Sequence, residues 1–331
     1  MSETPHSPDL FWLDPQLALL RQARAQDRLP HGLLIQDAPG GGGGPLALLA
    51  AQTALCREPG APCRQCNPCR QVAELRHPDL WMVGLEKDAQ QIKVDQIRGL
   101  IESLSLKSYR GGYKVGVIEG AESLNANGAN AFLKTLEEPT AKTLLIMIAR
   151  PTHRLPATIA SRCLQLKLQP PSTDAAIEWL THHAKPSPDA WQTWSAALAL
   201  AGGAPLLALE LESVGVAALD ADMQESLQML MAGSVDVTLL AERWMQSNPQ
   251  LRIVWLENWI TRRVRASLAD TPSHQSAEPV RLPGALLKPK IRALFELLDA
   301  ARELRRLAST GMNQQLALEA LLLGGRHALA T

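Results

Sequence analysis

The sequence predicts a chain in two parts, an α/β domain on a parallel sheet followed by a purely helical region. Three observations carry this. From residue 31 to 168, short apolar runs alternate with segments of helical periodicity. A run of five glycines separates the first apolar run from an apolar helix. After Pro170-Pro171 the composition turns to Ala and Leu, and no convincing strand follows. Strands that alternate with helices imply a parallel sheet covered on both faces.

Taken in order, residues 16–29 predict a helix with Leu17, Leu19, Leu20 and Ala23 on one face and Arg21, Arg24, Gln26 and Arg28 polar; Pro30 ends it. Residues 31–36 predict a short buried strand and 46–55 an apolar helix. Residues 80–83 predict a strand, and 94–106 a helix with Ile97, Leu100, Ile101 and Leu104 at helical spacing. A strand at 113–118 and a helix at 127–138, stopped by Pro139, come next. Residues 143–149 form a very apolar strand, and 164–168 alternate as one more. In the second part, 291–307 and 314–323 are helices. Residues 270–284, with Pro272, Pro279 and Pro283, read as a loop between helices.

A length of 331 residues suggests two or three domains. The 33 basic and 33 acidic side chains cancel, which argues against a free-standing nucleic-acid binder, usually basic overall. A protein partner, or a DNA contact shared among subunits, stays open. No apolar run reaches the roughly 18 residues of a membrane span. The first fifteen residues carry Glu3, Asp9 and Asp14 and lack the pattern of a signal peptide. The chain therefore reads as cytoplasmic, where thiols stay reduced.

Strand, glycine loop and helix are the layout of a phosphate-binding loop. Here the loop is Pro39-Gly40-Gly41-Gly42-Gly43-Gly44-Pro45. Aligned on the usual pattern, Gly43 takes the place of the phosphate lysine and Gly44 that of the Ser or Thr that holds magnesium. Pro45 removes a backbone N–H beside the loop. Ordering five glycines costs entropy, and no charge compensates. Tight binding of ATP is therefore not expected, and a flexible surface loop is the favoured reading. After the strand ending at Ile118, Glu119-Gly120 stands where an ATPase places Asp-Glu, so the magnesium and water-orienting carboxylates are degraded too.

Cys56, Cys63, Cys66 and Cys69 have the spacing C-x6-C-x2-C-x2-C. Paired C-x2-C thiolates suit one tetrahedral ion, and Arg57, Arg64 and Arg70 offset the charge. The cluster predicts structural zinc, with all four positions taken by sulfur and none open for catalysis. Cys163, outside it, reads as a small buried residue and His77 as structural. Trp191, Trp194, Trp244, Trp255 and Trp259 read as packing residues. Lys134 and Glu138 stand at i,i+4, the spacing of a helix-surface ion pair.

Ala121-Glu122, the segment Leu133-Lys134-Thr135-Leu136-Glu137-Glu138-Pro139, and Ser161-Arg162-Cys163 occur in that order. With them the chain resembles the bacterial clamp-loader family of AAA+ proteins, over residues 10–210. The resemblance implies an AAA+ P-loop-type domain at 1–169 with a zinc module inserted at 56–69, a helical lid at 170–209 and an all-α collar at 210–331 that holds subunits together. Within the family the degraded loop is similar to the silent delta-prime type rather than to the gamma/tau motors. Pro205 stands where a motor carries a lid arginine, and the sensor position is altered to Ala149-Arg150.

From its residue type alone, Arg162 reads as a surface arginine in a salt bridge. The resemblance implies instead an arginine finger in trans, the one catalytic role in the chain, completing the ATP site of an adjacent motor subunit. A guanidinium stays charged and grips two phosphate oxygens at once. The partners implied are gamma/tau and delta subunits. Through the complex they extend to the sliding clamp and primer-template DNA, in a cytoplasmic replisome on the nucleoid. The subunit would have no independent activity but would form part of a DNA-directed DNA polymerase holoenzyme. Two other readings are weighed: an active gamma/tau-like ATPase, which Gly43 argues against, and a zinc-binding adaptor outside replication, which leaves the Ser-Arg-Cys segment unexplained.

Overall fold

The computed structural model describes residues 9–86, 89, 91–109, 111–150, 155–184, 190–269, 289–307 and 314–330. The loop expected at 270–284 lies outside the described residues. The chain divides into two compact units, Met1–His183 with Ala204–Leu207, and Ala184–Gly203 with Ala208–Thr331.

In the first unit, α1 (Asp14–Ala25) buries Leu17 and Leu20, but Leu19 is 55% exposed, against the expected apolar face. Two residues turn a helix through about 200°, which carries Leu19 away from Leu17. β1 (Gly32–Gln36) follows, then α2 (Gly43–Leu55), which starts three residues before the expected 46. Next come α3 (Asn67–Ala73), β2 (Leu80–Val83), α4 (Val94–Ser105) and β3 (Lys114–Glu119). α5 (Ala126–Glu137) starts at the N-cap Asn125, whose Oδ1 accepts the Gly128 N–H at 2.7 Å. β4 (Thr143–Ala149), the single turn α6 (Ala157–Ala160), β5 (Leu164–Lys167) and α7 (Thr173–His183) complete the order. Both α3 and α6 are too short to have shown a periodicity.

The five strands run parallel in the order β2-β3-β4-β1-β5. Alternation along them divides the side chains. Leu34, Ile118, Leu145 and Met147 enter a core with Ile97, Leu100 and Leu104 of α4, Phe132 and Leu136 of α5 and Ile159 of α6. Gly116 belongs to that face, since a Cβ there would lie 3.0–3.1 Å from Leu104 and Leu100. On the other face Leu33, Ile35, Val115, Val117, Leu144 and Ile146 are all fully buried, as are Leu46, Ala47, Ala50 and Ala51 of α2. A parallel sheet buried on both faces reads as continuous apolar runs, which is why β4 is so apolar.

The second unit holds α8 (Ala190–Leu200), most of α9 (Pro205–Ser213), α10 (Val216–Met231), α11 (Val237–Gln246), α12 (Pro249–Ala269), α13 (Pro289–Leu307) and α14 (Gln314–Ala330), with no strand among its described residues. Its core includes Trp194, Trp244 and Trp255, each at most 4% exposed. Trp191, expected to pack, is 63% exposed. Arg252 of α12 is buried and binds Asp222 of α10 at 2.5 Å, while Arg243 of α11 reaches the same carboxylate at 3.4 Å. Glu257 of α12 faces Arg302 and Arg305 of α13 at 3.6 and 2.9 Å. Among the described residues, no single helix is long and apolar enough to cross a membrane.

Candidate functional site

In open parallel sheets, ligands bind beyond the carboxyl ends of the strands, where the connections diverge. Here β1 lies between β4 and β5, with Gln36 opposite Ala149 and Glu119 of β3 opposite Ile148. The glycine loop, Glu119-Gly120 and Ala149-Arg150 therefore lie together at the carboxyl ends of three adjacent strands.

The loop is curled and filled from within. Gly40 and Gly42 take φ of 76° and 112°, a left-handed backbone open to glycine. A Cβ on Gly40 would overlap Leu207, and one on Gly41 would overlap Asp37 Oδ1. The Gly43 N–H, at the start of α2, donates to Asp37 Oδ2 at 2.6 Å. An N–H in that place is what a phosphate-binding loop offers a phosphate. The Asp37 backbone N–H is itself held by Ala149 O at 3.0 Å. Burial pushes the Asp37 carboxyl up to about 6, against the lowering effect of the Gly43 and Gly42 N–H groups. From outside, Trp12 Nε1 donates to Gly41 O at 2.7 Å. Trp12 packs edge-on against Trp179 of α7 at 5.1 Å, and Trp179 Nε1 donates to Asp9 O at 2.8 Å. The loop is thus pinned, not the flexible surface loop that its composition favours. Gly44 looks onto open space, where a Ser or Thr would stand.

Glu119 is exposed at the end of β3, and Gly120 follows with φ 70°. Glu122, with a side chain only 12% exposed, accepts the Arg150 N–H at 3.3 Å and pairs with its Nε at 3.3 Å. Arg150 is thereby paired with a carboxylate of its own chain, while its side chain stays 59% exposed.

Arg162 follows α6 and precedes β5. Its Nη1 donates to Thr158 O at 2.8 Å, and its Nη2 pairs with Glu137 at 2.7 Å. The side chain is 37% exposed, so the guanidinium is both tethered and accessible. The ion pair expected between Lys134 and Glu138 is not among those formed. Glu138 is the C-cap of α5: its N–H still bonds Lys134 O at 3.0 Å, but its φ of −125° turns its Cβ from the direction a helical residue would give it. Behind Arg162, Cys163 is half-buried and its thiol is pushed up to about 11 by burial.

The four cysteines converge, with all Sγ atoms within 4.8 Å of one another. Cys56 caps the end of α2, Cys66 is the N-cap of α3, and Cys69 lies in its first turn. The Sγ separations are 3.8 Å for Cys56–Cys66 and 4.0 Å for Cys63–Cys69. A tetrahedral ion with bonds of ~2.3 Å sets sulfur separations of about 3.8 Å, so the donor set fits a metal. The Cys66 N–H points at Cys63 Sγ at 3.3 Å, and backbone N–H groups of Cys66 and Gln65 bring that thiol down to about 7. Gln52 of α2 braces the module through Cys69 O at 2.8 Å. His77 is not among the cluster's ligands; its Nδ1 accepts the Asp79 N–H at 3.1 Å.

Two residues at these sites, Asp37 and Trp12, escape sequence reasoning; Glu137 is visible in the sequence as an interface or structural residue, but not as the partner of Arg162. The only signal for Asp37 was an acid two residues before Pro39-Gly40.

Comparison with known proteins agrees with this architecture. A family model described as DNA polymerase III, delta subunit, matches residues 13–172. The DNA polymerase III subunit delta' of Pseudomonas aeruginosa is 33% identical over 315 residues, 93% of this chain and 95% of that protein. The delta' subunit of Escherichia coli is 37% identical over 202 residues, 60% of each chain. The tau subunit of Escherichia coli is 29% identical over 260 residues, 76% of this chain and 39% of that protein. The five-stranded parallel sheet with its glycine loop, followed among the described residues by helices alone, is the AAA+ architecture with an all-α C-terminal region. With a third of the residues shared across nearly the full length of both proteins, the chain belongs to the delta' subunit family of DNA polymerase III.

Proposed function

We propose that the chain is a non-catalytic clamp-loader subunit that lends Arg162 to the ATP site of an adjacent gamma/tau motor subunit. The assembly, with a delta subunit, then loads the sliding clamp onto primed DNA in the cytoplasmic replisome. The observation that carries the silent half of this reading is the Asp37 carboxylate, which holds the Gly43 N–H where a triphosphate oxygen would sit. An anion placed there meets a carboxylate and no lysine, so this pocket neither attracts a nucleotide nor polarises one. The active half rests on the exposed guanidinium in Ser161-Arg162-Cys163, whose remaining N–H donors are free to grip phosphate. In the same reading the four-cysteine module holds structural zinc, residues 170–209 are the lid, and 210–331 form the collar.

The deciding experiment reconstitutes the loader with the full-length chain or with Arg162→Ala. Assembly survives, while ATP hydrolysis stimulated by clamp and primed DNA falls, since a finger in trans contributes orders of magnitude at the site it serves. Unchanged hydrolysis in the assembled variant sinks the reading.

A further inference from the structure

We propose that Glu137 is a positioning residue for the Arg162 guanidinium. The inference rests on the finger reading and names what aims the finger.

An arginine on a flexible stem serves a neighbour's phosphate only if it waits in one orientation, because productive geometry tolerates little displacement. Arg162 is tied at two corners, through Nη1 to Thr158 O at 2.8 Å and through Nη2 to Glu137 Oε1 at 2.7 Å. The ties come from different elements, the end of α5 and the turn α6, so together they define the guanidinium plane. Their frame is rigid. Leu136 and Ile159, the neighbours of Glu137 and Thr158, are 1% and 0% exposed in one core. A Cβ on Gly32 of β1 would lie 3.1 Å from Leu136 and 3.0 Å from Cys163 Sγ. Nε and the outer hydrogens of the guanidinium remain for phosphate.

Local helix chemistry does not explain the carboxylate. Glu137 is the last residue of α5, where the helix dipole disfavours an anion. Lys134, one turn back on the same helix, is not its partner; Arg162, from another element, is. Nor does stability explain it. Both side chains are partly exposed, at 37% and 50%, and exposed ion pairs contribute little to folding. What the pair fixes is direction.

The test uses the reconstituted loader with clamp and primed DNA, and compares wild type, Glu137→Ala, Glu137→Gln, Glu137→Asp, Arg162→Ala and the double alanine variant. Glu137→Ala lowers kcat for ATP about two- to five-fold, the range that loss of one such pair allows, with KM little changed. Glu137→Gln, which keeps an acceptor oxygen in place, recovers most of the rate. Glu137→Asp keeps the charge but loses a methylene of reach, and it falls with alanine. The double variant is no slower than Arg162→Ala alone, because Glu137 acts only through the arginine. A wild-type rate for Glu137→Ala beside a slow Arg162→Ala overturns the positioning role and leaves the finger reading intact. A further loss in the double variant overturns it as well. A wild-type rate for Arg162→Ala removes the finger reading and this inference with it.

Discussion

Asp37 concentrates the chemistry of the glycine loop in one side chain. Burial raises its carboxyl to about 6, and two glycine N–H groups only partly offset that. The folded-state value lies above the unfolded one, so the folded chain holds the proton longer. The associated stability is present below the unfolded pKa, near 4, and is lost as pH rises through about 6. Asp37→Asn keeps an oxygen for the Gly43 N–H and removes the buried charge. It is expected to stabilise the chain by about 1–2 kcal/mol at pH 8, after discounting for partial exposure, and by close to nothing at pH 4. Urea unfolding at the two pH values measures this, and a variant less stable than wild type at pH 8 contradicts it. The sequence made the missing lysine legible at Gly43 but not what takes its place. Asp37 reaches the Gly43 N–H only because Gly40 and Gly42 bend the loop back through left-handed backbone. Arg162 was legible through its flanking Ser161 and Cys163, while Glu137, 25 positions earlier in sequence, needed the fold to bring it alongside.

At the scale of elements, the cysteine module was legible because its chemistry lies in spacing alone. Three of its ligands fall within seven residues, and the fourth ends a strongly apolar helix. α3 was not, since its seven residues open on Asn-Pro and owe their turn to Cys66 and Cys69. The module joins the end of α2 to α3, so metal removal should act on both. The expectation is one zinc per chain by elemental analysis. Cys69→Ser should lose that zinc and lower the unfolding midpoint, because binding energy at such a site is folding energy. A metal-free wild type of equal stability would contradict it. In the helical unit, Asp222 of α10 takes Arg252 and Arg243 together, and the neighbouring Asp220 takes the Trp255 N–H at 2.6 Å. Asp222→Ala leaves the buried Arg252 with the Ser247 carbonyl at 2.8 Å as its remaining oxygen partner. That should cost about 2–3 kcal/mol, a large effect for one surface-facing carboxylate. A change under about 0.5 kcal/mol in denaturant titration would show that the arginine finds water instead.

Over the whole first unit, the features that would silence an ATP site on the proposed reading are spread along the carboxyl ends of the strands rather than lodged in one residue. The loop on β1 holds its own carboxylate, β3 ends in Glu119-Gly120, and the arginine after β4 is bound to Glu122. Trp12 of the N-terminal segment, backed edge-on by Trp179 of α7, then holds the loop through Gly41 O, so elements far apart in sequence brace it. Repair at one point therefore should not restore an ATPase. Gly43→Lys with Gly44→Thr returns the side chains a motor uses. However, a Cβ at Gly43 would stand 2.8–3.0 Å from Asp37 and Ile148, and the new ammonium would meet the Asp37 carboxylate before any phosphate. Adding Asp37→Ala frees the loop but leaves Gly120 without a carboxylate to orient water and Arg150 still engaged. The expected outcome is stepwise. The double variant neither binds a fluorescent ATP analogue nor hydrolyses ATP. The triple variant gains weak binding, because the loop N–H groups and the new lysine then face an anion without competition. It still shows no turnover above background, because binding and water activation sit on different strands. Motor-like hydrolysis by either isolated variant would mean that the lost lysine alone had silenced the site.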